Sequence, residues 1–336
     1  MGLDARTAAT LRCLLFVAGI GAEPDWVRPL EGIGAMNRHW RVRVGGRDLV
    51  LREYGWPFLP PAPPRARREA AVLDLLEEAG VPAPRALAIG DDALLATFER
   101  GEVLGEVVAD GRNVPAGAWR DIGRAWRRVH DIVPTGQLRA ALLGGPQREV
   151  EGWFERVRAD VDAHLWVGAC RRPELAVDAD RVQRLVAAAR PVLEQRPVRL
   201  LHGDAHLWNV LVEAPGDRCA AILDWECAEA GDPLWDVVGL DLLQRREVGP
   251  LPAAFLAGYG DPGPPLVRGL YELVVHLWQA TDVEAWPTPL PSHRAADAYL
   301  RALPHHLTRL ERLLHGHGGA SRAARRAART SAAPGR

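Results

Sequence analysis

Residues 200–226 read LLHGDAHLWNVLVEAPGDRCAAILDWE. Apolar residues dominate Asn209 to Glu213 and again Cys219 to Trp225, and Ala-Pro-Gly-Asp-Arg separates the two runs. Two short strands joined by a tight connection have this pattern. With the turn centred between Gly216 and Asp217, Asn209 and Asp224 face each other across the hairpin. Directly opposed side chains have Cβ atoms roughly 5 Å apart, so an amide oxygen and a carboxylate could share one hard cation there. Magnesium prefers such oxygen donors, with water and substrate phosphates completing an octahedron. Asp204 lies just upstream, in the loop entering the first strand, where a carboxylate can take or orient a hydroxyl proton. The stretch therefore implies phosphoryl-transfer chemistry.

The chain has 336 residues, 48% of them hydrophobic, and a formal charge of −1. That length can bury a sizeable core in one unit of two lobes. Near-neutrality argues against a dedicated nucleic-acid binder. Cys13, Cys170, Cys219 and Cys227 show neither CxxC pairing nor regular spacing, which fits reduced thiols in the core better than disulfides or a zinc site. The apolar run Cys13 to Ile20 is too short to span a bilayer and lacks the flanks of a secretion signal. A cytoplasmic protein without membrane association is expected. Lys is absent from the sequence. Schiff-base chemistry and the usual phosphate-binding lysine are therefore unavailable.

Outward from the hairpin, residues 7–20 read as a helix. Val27 to Ile33, His39 to Val44, Asp48 to Tyr54, Arg85 to Ile89 and Ala93 to Phe98 read as strands of a small antiparallel sheet, with Gly45-Gly46 as a hairpin turn. Pro57 to Pro64 form a loop before a helix from Arg65 to Ala79, whose apolar stripe is Val72, Leu75, Leu76 and Ala79. Glu69 extends that stripe inward, and a carboxylate on a buried face needs a partner. Beyond Gly101 the pattern turns helical: Trp119, Ile122, Trp126, Val129 and Val133 mark one face, and Val182, Leu185, Val186, Ala189 and Leu193 another. Further helices are expected around 234–244, 251–259, 264–282 and 293–315. Residues 318–336 combine Ala, Arg, Gly and Ser without an apolar face and read as a disordered tail.

His202-Gly203-Asp204, then Asn209, then Ile222-Leu223-Asp224-Trp225-Glu226, then Gly231-Asp232-Pro233 with Asp236, together resemble the aminoglycoside phosphotransferase and choline kinase-like family. The ordered set is far more specific than any one motif. The resemblance spans roughly residues 25–315 and implies an α+β, bilobal protein-kinase-like fold. Residues 1–100 would form a small antiparallel-sheet nucleotide lobe with a hinge near 97–101, and residues 101–317 a mainly helical catalytic lobe. It implies that Asp204 is the catalytic carboxylate and that Asn209 and Asp224 hold Mg2+ against ATP, with GTP left open. His202 would orient the loop, and Asp236 would fasten it from the helix behind.

Leu30-Glu31-Gly32-Ile33-Gly34-Ala35-Met36-Asn37 resembles the family's nucleotide loop, where Gly32 and Gly34 would let backbone amides approach phosphate; an ordinary hairpin turn explains the stretch too. Arg52 stands where kinase-like folds commonly carry lysine, and its rigid fork changes the geometry of phosphate contact while keeping the charge. Glu69 would hold Arg52. Thr97 and Glu99 lie in the implied hinge and would offer backbone atoms to adenine.

These features imply an ATP-dependent O-phosphotransferase acting on a small-molecule hydroxyl. An antibiotic or related natural product comes first as acceptor, in resistance or self-protection; a sugar, choline or amino alcohol comes second. His206, Trp208, Glu226 and Asp282 are candidates for the substrate side, the acidic ones through attraction of a cation. Two other classes stay open. His202, Asp204 and His206 form H-x-D-x-H, as in a metal-dependent hydrolase, and the missing lysine would suit a catalytically silent nucleotide-binding protein. Oligomeric state has no signature in the sequence.

Overall fold

Val42, Val44, Leu49 and Leu51 alternate along two neighbouring strands, and none is more than 2% exposed. They meet Leu11, Leu14 and Leu15 of α1 (Ala5–Val17), which lies on that face of the sheet. Asp4 caps α1 by accepting the Thr7 amide at 2.8 Å, which satisfies one of the amides a helix start leaves open. The computed structural model describes residues 3–30, 37–55, 65–143, 152–171, 175–213, 218–242, 249–261, 263–282 and 299–316.

The sheet comprises β1 (Trp26–Pro29), β2 (Arg38–Val44), β3 (Arg47–Glu53), β4 (Ala86–Ile89) and β5 (Ala93–Thr97) in the order β1-β2-β3-β5-β4, with every neighbouring pair antiparallel. Gly45 and Gly46 both have positive φ, 54° and 75°, as the tight turn between β2 and β3 requires. Between β3 and β4 in sequence comes α2 (Arg65–Glu78), which buries Val72, Leu73 and Leu76 together with Arg68 and Glu69.

After β5 the chain forms β6 (Glu102–Val103), then α3 (Leu104–Ala109), α4 (Ala116–Asp131) and α5 (Gly136–Leu142). Next come α6 (Trp153–Arg171), α7 (Ala176–Ala188) and α8 (Arg190–Leu193), followed by β7 (Arg199–Leu201), β8 (Val210–Val212), β9 (Cys219–Ile222) and β10 (Glu229–Gly231). α9 (Leu234–Leu242), α10 (Ala253–Tyr259), α11 (Pro265–Asp282) and a helix over 299–316 follow. Two compact units result, one from Met1–Glu151 with Pro197–Pro262 and one from Gly152–Arg196 with Gly263–Arg336. The first contains all ten of the strands above and helices α1–α5, α9 and α10. In the second, α6 packs on α11, Trp153 donates to the Tyr271 hydroxyl at 2.7 Å, and Arg181 binds Glu311 through two nitrogens, each at 2.8 Å.

Three expectations need correction. Cys13 and Cys170 are exposed, not core; of the four free cysteines only Cys219 is buried, with Cys227 half-buried. Val133 does not continue the α4 stripe, because the helix ends at Asp131 and Val133 is 49% exposed. The hairpin register also differs. Val210 pairs with Ile222 and Leu211 with Ala221, and an irregularity follows between Leu211 and Val212. Asn209 therefore meets Leu223, whose amide donates to the Asn209 carbonyl at 2.8 Å, and Asp224 lies one residue further on. The tail 318–336 lies outside the described residues. Among the described residues, no helix is long and apolar enough to cross a membrane.

Candidate active site

Because Leu51 faces the core, strand alternation turns Arg52 to the opposite face of β3. There Arg52 is 6% exposed. One terminal nitrogen donates to Glu69 Oε1 at 2.9 Å; the other donates to Asp224 Oδ1 at 2.6 Å and lies 3.0 Å from Glu226 Oε1. The second oxygen of Glu69 accepts the Tyr54 hydroxyl. Glu226 Oε1 also accepts from the Asn37 amide at 2.8 Å, and the Asn37 oxygen accepts the Gly55 amide at 3.1 Å. One guanidinium thus serves three carboxylates from two segments of the chain, Glu69 on α2 and the turn that carries Asp224 and Glu226.

Burial sets the titration of this group. It raises Glu69 and Glu226 above the ordinary carboxylate value, and the charge of Arg52 only partly opposes it. At Asp224 burial pulls the same way, but the Arg52 charge prevails and the pKa is lowered. Burial would lower Arg52, and the charges of Asp224, Glu69 and Glu226 outweigh it, so its pKa rises. On α2, Arg68 sits beside Glu69 and donates to the carbonyl of Ala228. Adjacent side chains of one helix thereby hold both β3 and the segment after Asp224.

β7 delivers the chain into the His202-Gly203-Asp204 loop. Gly203 has φ 81°, and a Cβ there would lie 2.1 Å from the Cys227 carbonyl oxygen, so the turn requires glycine. Asp236, 1% exposed on α9, accepts the amides of His202 at 2.7 Å and Gly203 at 3.1 Å. The His202 ring lies between Trp126 and Trp225, with centroids 5.6 Å and 4.6 Å away. Its Nε2 is 2.7 Å from the Leu223 carbonyl and its Nδ1 is 3.2 Å from the Asp204 amide. A carbonyl only accepts and an amide only donates, which makes this a neutral histidine protonated at Nε2. Both ring nitrogens are spent on backbone, which removes His202 as a ligand of an H-x-D-x-H metal site.

The side chain of Asp204 is 47% exposed, and its Oδ2 lies 3.5 Å from His206 Nε2. Burial works against its ionisation, but the hydrogen bond and charge of His206 prevail and lower its pKa. Asn209 ends a single 3-10 turn, Leu207–Asn209. Its amide nitrogen donates to the Asp204 carbonyl at 3.1 Å and sits 3.2 Å from His206 Nε2, which leaves the amide oxygen as the end that could hold a metal. Trp208 is half-buried over Gly105, where any Cβ would come within 2.5 Å of the indole.

Asp224 is the one non-glycine residue with positive φ among the described residues, at φ 65° and ψ 63°. L-residues pay strain energy in this left-handed region, and such residues concentrate at functional sites. It lies two residues past the end of β9, so the strand register does not set its direction; the left-handed turn does, and it brings the carboxylate to Arg52.

The other expected site residues divide. Thr97 donates its hydroxyl to Glu99 Oε1 at 2.6 Å and its amide to the Arg85 carbonyl at 3.0 Å. Gly32 and Gly34 lie outside the described residues. Asp282 is the last residue of α11, in the second unit, and its side chain is likewise outside them. Three contributors have no counterpart in the reading of the sequence: Tyr54, Arg68 and His130. His130, 2% exposed, has a visible signal, since it stands four residues after Trp126 on the buried face of α4.

A five-stranded antiparallel sheet carrying a buried Arg–Glu pair, joined to a helical region with a His-Gly-Asp loop and a facing Asp, defines a kinase-like phosphotransferase. The chain belongs to the phosphotransferase enzyme family, whose model matches residues 26–270. Solved structures share the fold. The streptomycin–ATP–APH(2")-IIa ternary complex aligns with TM-score 0.63 at 13% identity, covering 89% of this chain and 96% of that one. ADP-bound aminoglycoside phosphotransferase APH(2'')-Ib aligns with TM-score 0.60 at 15% identity, covering 92% and 97%. Among curated sequences, mouse acyl-CoA dehydrogenase family member 10 is 25% identical over 220 residues, 61% of this chain. The chain spans 19% of that protein's length.

Proposed function

We propose that this enzyme transfers the γ-phosphate of ATP, with Mg2+, to a hydroxyl of a small molecule, with an antibiotic or related natural product as the first acceptor class. The observation that carries this reading is the gathering of a left-handed Asp224, an ionised Asp204 and Asn209, whose amide nitrogen is held by the Asp204 carbonyl, around one loop. The donor set fits a hard cation. Asp224 and Asn209 supply oxygens, and among the described residues no cluster of three His, Cys, Asp or Glu forms a self-sufficient metal cage; magnesium keeps few protein ligands and shares phosphate oxygens.

When bound, Mg2+ neutralises charge on the phosphates. Asp204, ionised and half exposed, accepts or orients the proton of the attacking hydroxyl. Asp236 and His202 hold the loop that aims it. Arg52 supplies the cation of the nucleotide lobe, residues 1–100, and the Thr97–Gly101 segment supplies the hinge to the catalytic lobe, residues 101–317. The protein works in the cytoplasm. GTP stays open as donor.

Incubation of the purified protein with Mg2+, ATP and a library of antibiotics, sugars and amino alcohols, read by mass spectrometry, tests the reading. A phosphate mass gain on an antibiotic is the expected result, and a gain only on a sugar or amino alcohol assigns a primary-metabolite kinase. No gain on any hydroxylated compound overturns the proposal.

A further inference from the structure

Behind the catalytic loop, Asp236 continues into two buried polar side chains, His130 and Tyr259, that the proposed chemistry does not use. His130 Nε2 lies 3.1 Å from Asp236 Oδ2, and its Nδ1 lies 2.8 Å from the hydroxyl of Tyr259, the last residue of α10. Tyr259 is 3% exposed, and burial, with the nearby Asp236 charge adding to it, keeps its phenol protonated well above the ordinary range. Asp236 already receives two backbone amides. A nitrogen facing that carboxylate must carry a proton, so His130 Nε2 donates, and in the neutral imidazole Nδ1 is then a lone pair. The phenol is the group that fills it.

The hydrogen bonds then run in one direction. Tyr259 donates to His130, His130 donates to Asp236, and Asp236 receives the amides of His202 and Gly203, the two residues before Asp204. An independent feature fixes the far end of this chain. α4 and α10 touch backbone to backbone: a Cβ on Gly123 would lie 2.2 Å from the Phe255 carbonyl oxygen, and one on Gly258 would lie 2.0 Å from that of Arg120. Phe255 and Tyr259 stack with centroids 5.9 Å apart. With no room for side chains at the crossing, α10 has no slack, and the phenol is held at His130.

We propose that Tyr259 is a positioning residue for phosphoryl transfer, fixing the tautomer of His130 and through it the carboxylate that aims Asp204. The functional half rests on the phosphotransferase reading above; the tautomer half does not. Tyr259→Phe keeps the ring and its stacking while removing the donor. Imidazole nitrogen NMR of the full chain labelled at histidine should show His130 protonated at Nε2 in the wild type and a changed pattern in Tyr259→Phe. A wild type protonated at Nδ1, or a pattern unmoved by the substitution, overturns the proposal.

Magnesium-dependent ADP release should fall about tenfold in kcat with KM for ATP unchanged, the mark of a misaimed loop. A rise in KM with kcat retained overturns it. In a His130→Gln background, Tyr259→Phe should add no further loss, because both substitutions break one linkage; losses that multiply overturn it. Absence of turnover in the wild type would remove the phosphotransferase reading instead, while the NMR pattern still decides the Tyr259–His130 link.

Discussion

Arg52 and Asp224, separated by 172 positions, meet at 2.6 Å, so the cation proposed to serve where kinase-like folds commonly carry lysine is bound to the carboxylate proposed to hold the metal. One planar fork spans Glu69 on one side and Asp224 with Glu226 on the other. A lysine is a point charge and cannot span both. Arg52→Lys should therefore raise KM for ATP about tenfold and lower thermal stability. Arg52→Ala, which strands the buried carboxylates of Glu69 and Glu226 and the half-buried one of Asp224, should cost roughly 3–5 kcal/mol. Thermal denaturation beside ATP kinetics checks both; a lysine variant with wild-type KM and Tm would show that the fork geometry is irrelevant.

Asp204 and Asp224 are distinguished by surroundings rather than by type. Asp204 is half exposed and paired with His206, whereas Asp224 is tied to Arg52 beside Asn209's loop. Asp204→Ala should reduce kcat by about 10²–10⁴ while calorimetry finds ATP binding nearly intact. If ATP binding disappears in a folded Asp204→Ala protein, the role assigned to Asp204 is wrong.

For Asp224→Ala the loss should fall on metal-linked binding. Titrating ATP with and without Mg2+ should show wild-type affinity strengthened by the metal and the variant indifferent to it. An unchanged response to Mg2+ removes Asp224 from the metal site.

Several of these positions were readable from spacing alone. Glu69 falls on the buried stripe of α2, and a carboxylate there demands a cation, which Arg52 provides at 2.9 Å. The β2–β3 register likewise follows from Gly45-Gly46 and strict alternation. The β8–β9 hairpin is different, because its connection is longer and a local irregularity shifts the pairing by one residue, a slip that alternation within strands of three and four residues is too short to reveal. Asp224 reaches its place through a left-handed residue, which no apolar pattern encodes. Glu226 turns to Arg52 as a consequence of that turn, so composition suggests an acidic substrate wall where the structure places a buried partner. α6 goes unmarked in the sequence because Trp166 and Val167 sit among its buried Val157, Val161 and Leu165 and blur the stripe.

Gly203 tests whether loop geometry is enforced by backbone. Alanine there adopts a disfavoured φ of 81° and drives its Cβ toward the Cys227 carbonyl. Strain of roughly 1–3 kcal/mol from the dihedral alone, plus displacement of the 225–228 segment, should lower Tm and cut kcat together. Gly203→Ala with wild-type kcat would show that the loop reaches its working shape by another path.

Stability should also report Asp48. One of its oxygens meets Arg41 at 3.0 Å, Arg43 at 3.1 Å and Arg100 at 2.9 Å, and the Arg41 hydrogen bond leads the effects that outweigh burial and bring its pKa down to about 2 from an ordinary 3.8. A carboxylate whose pKa is depressed by folding contributes stability that is complete above the unfolded value and disappears as pH falls through the folded one. The wild type should therefore lose this contribution between about pH 4 and pH 2. Asp48→Asn has no charge to lose: it should be less stable than wild type at pH 7, and the gap should close as pH falls through that window. Tm measured across pH 2 to 7 for both proteins decides it, and a gap that stays constant down to pH 2 would show that the three arginines do not hold Asp48 ionised.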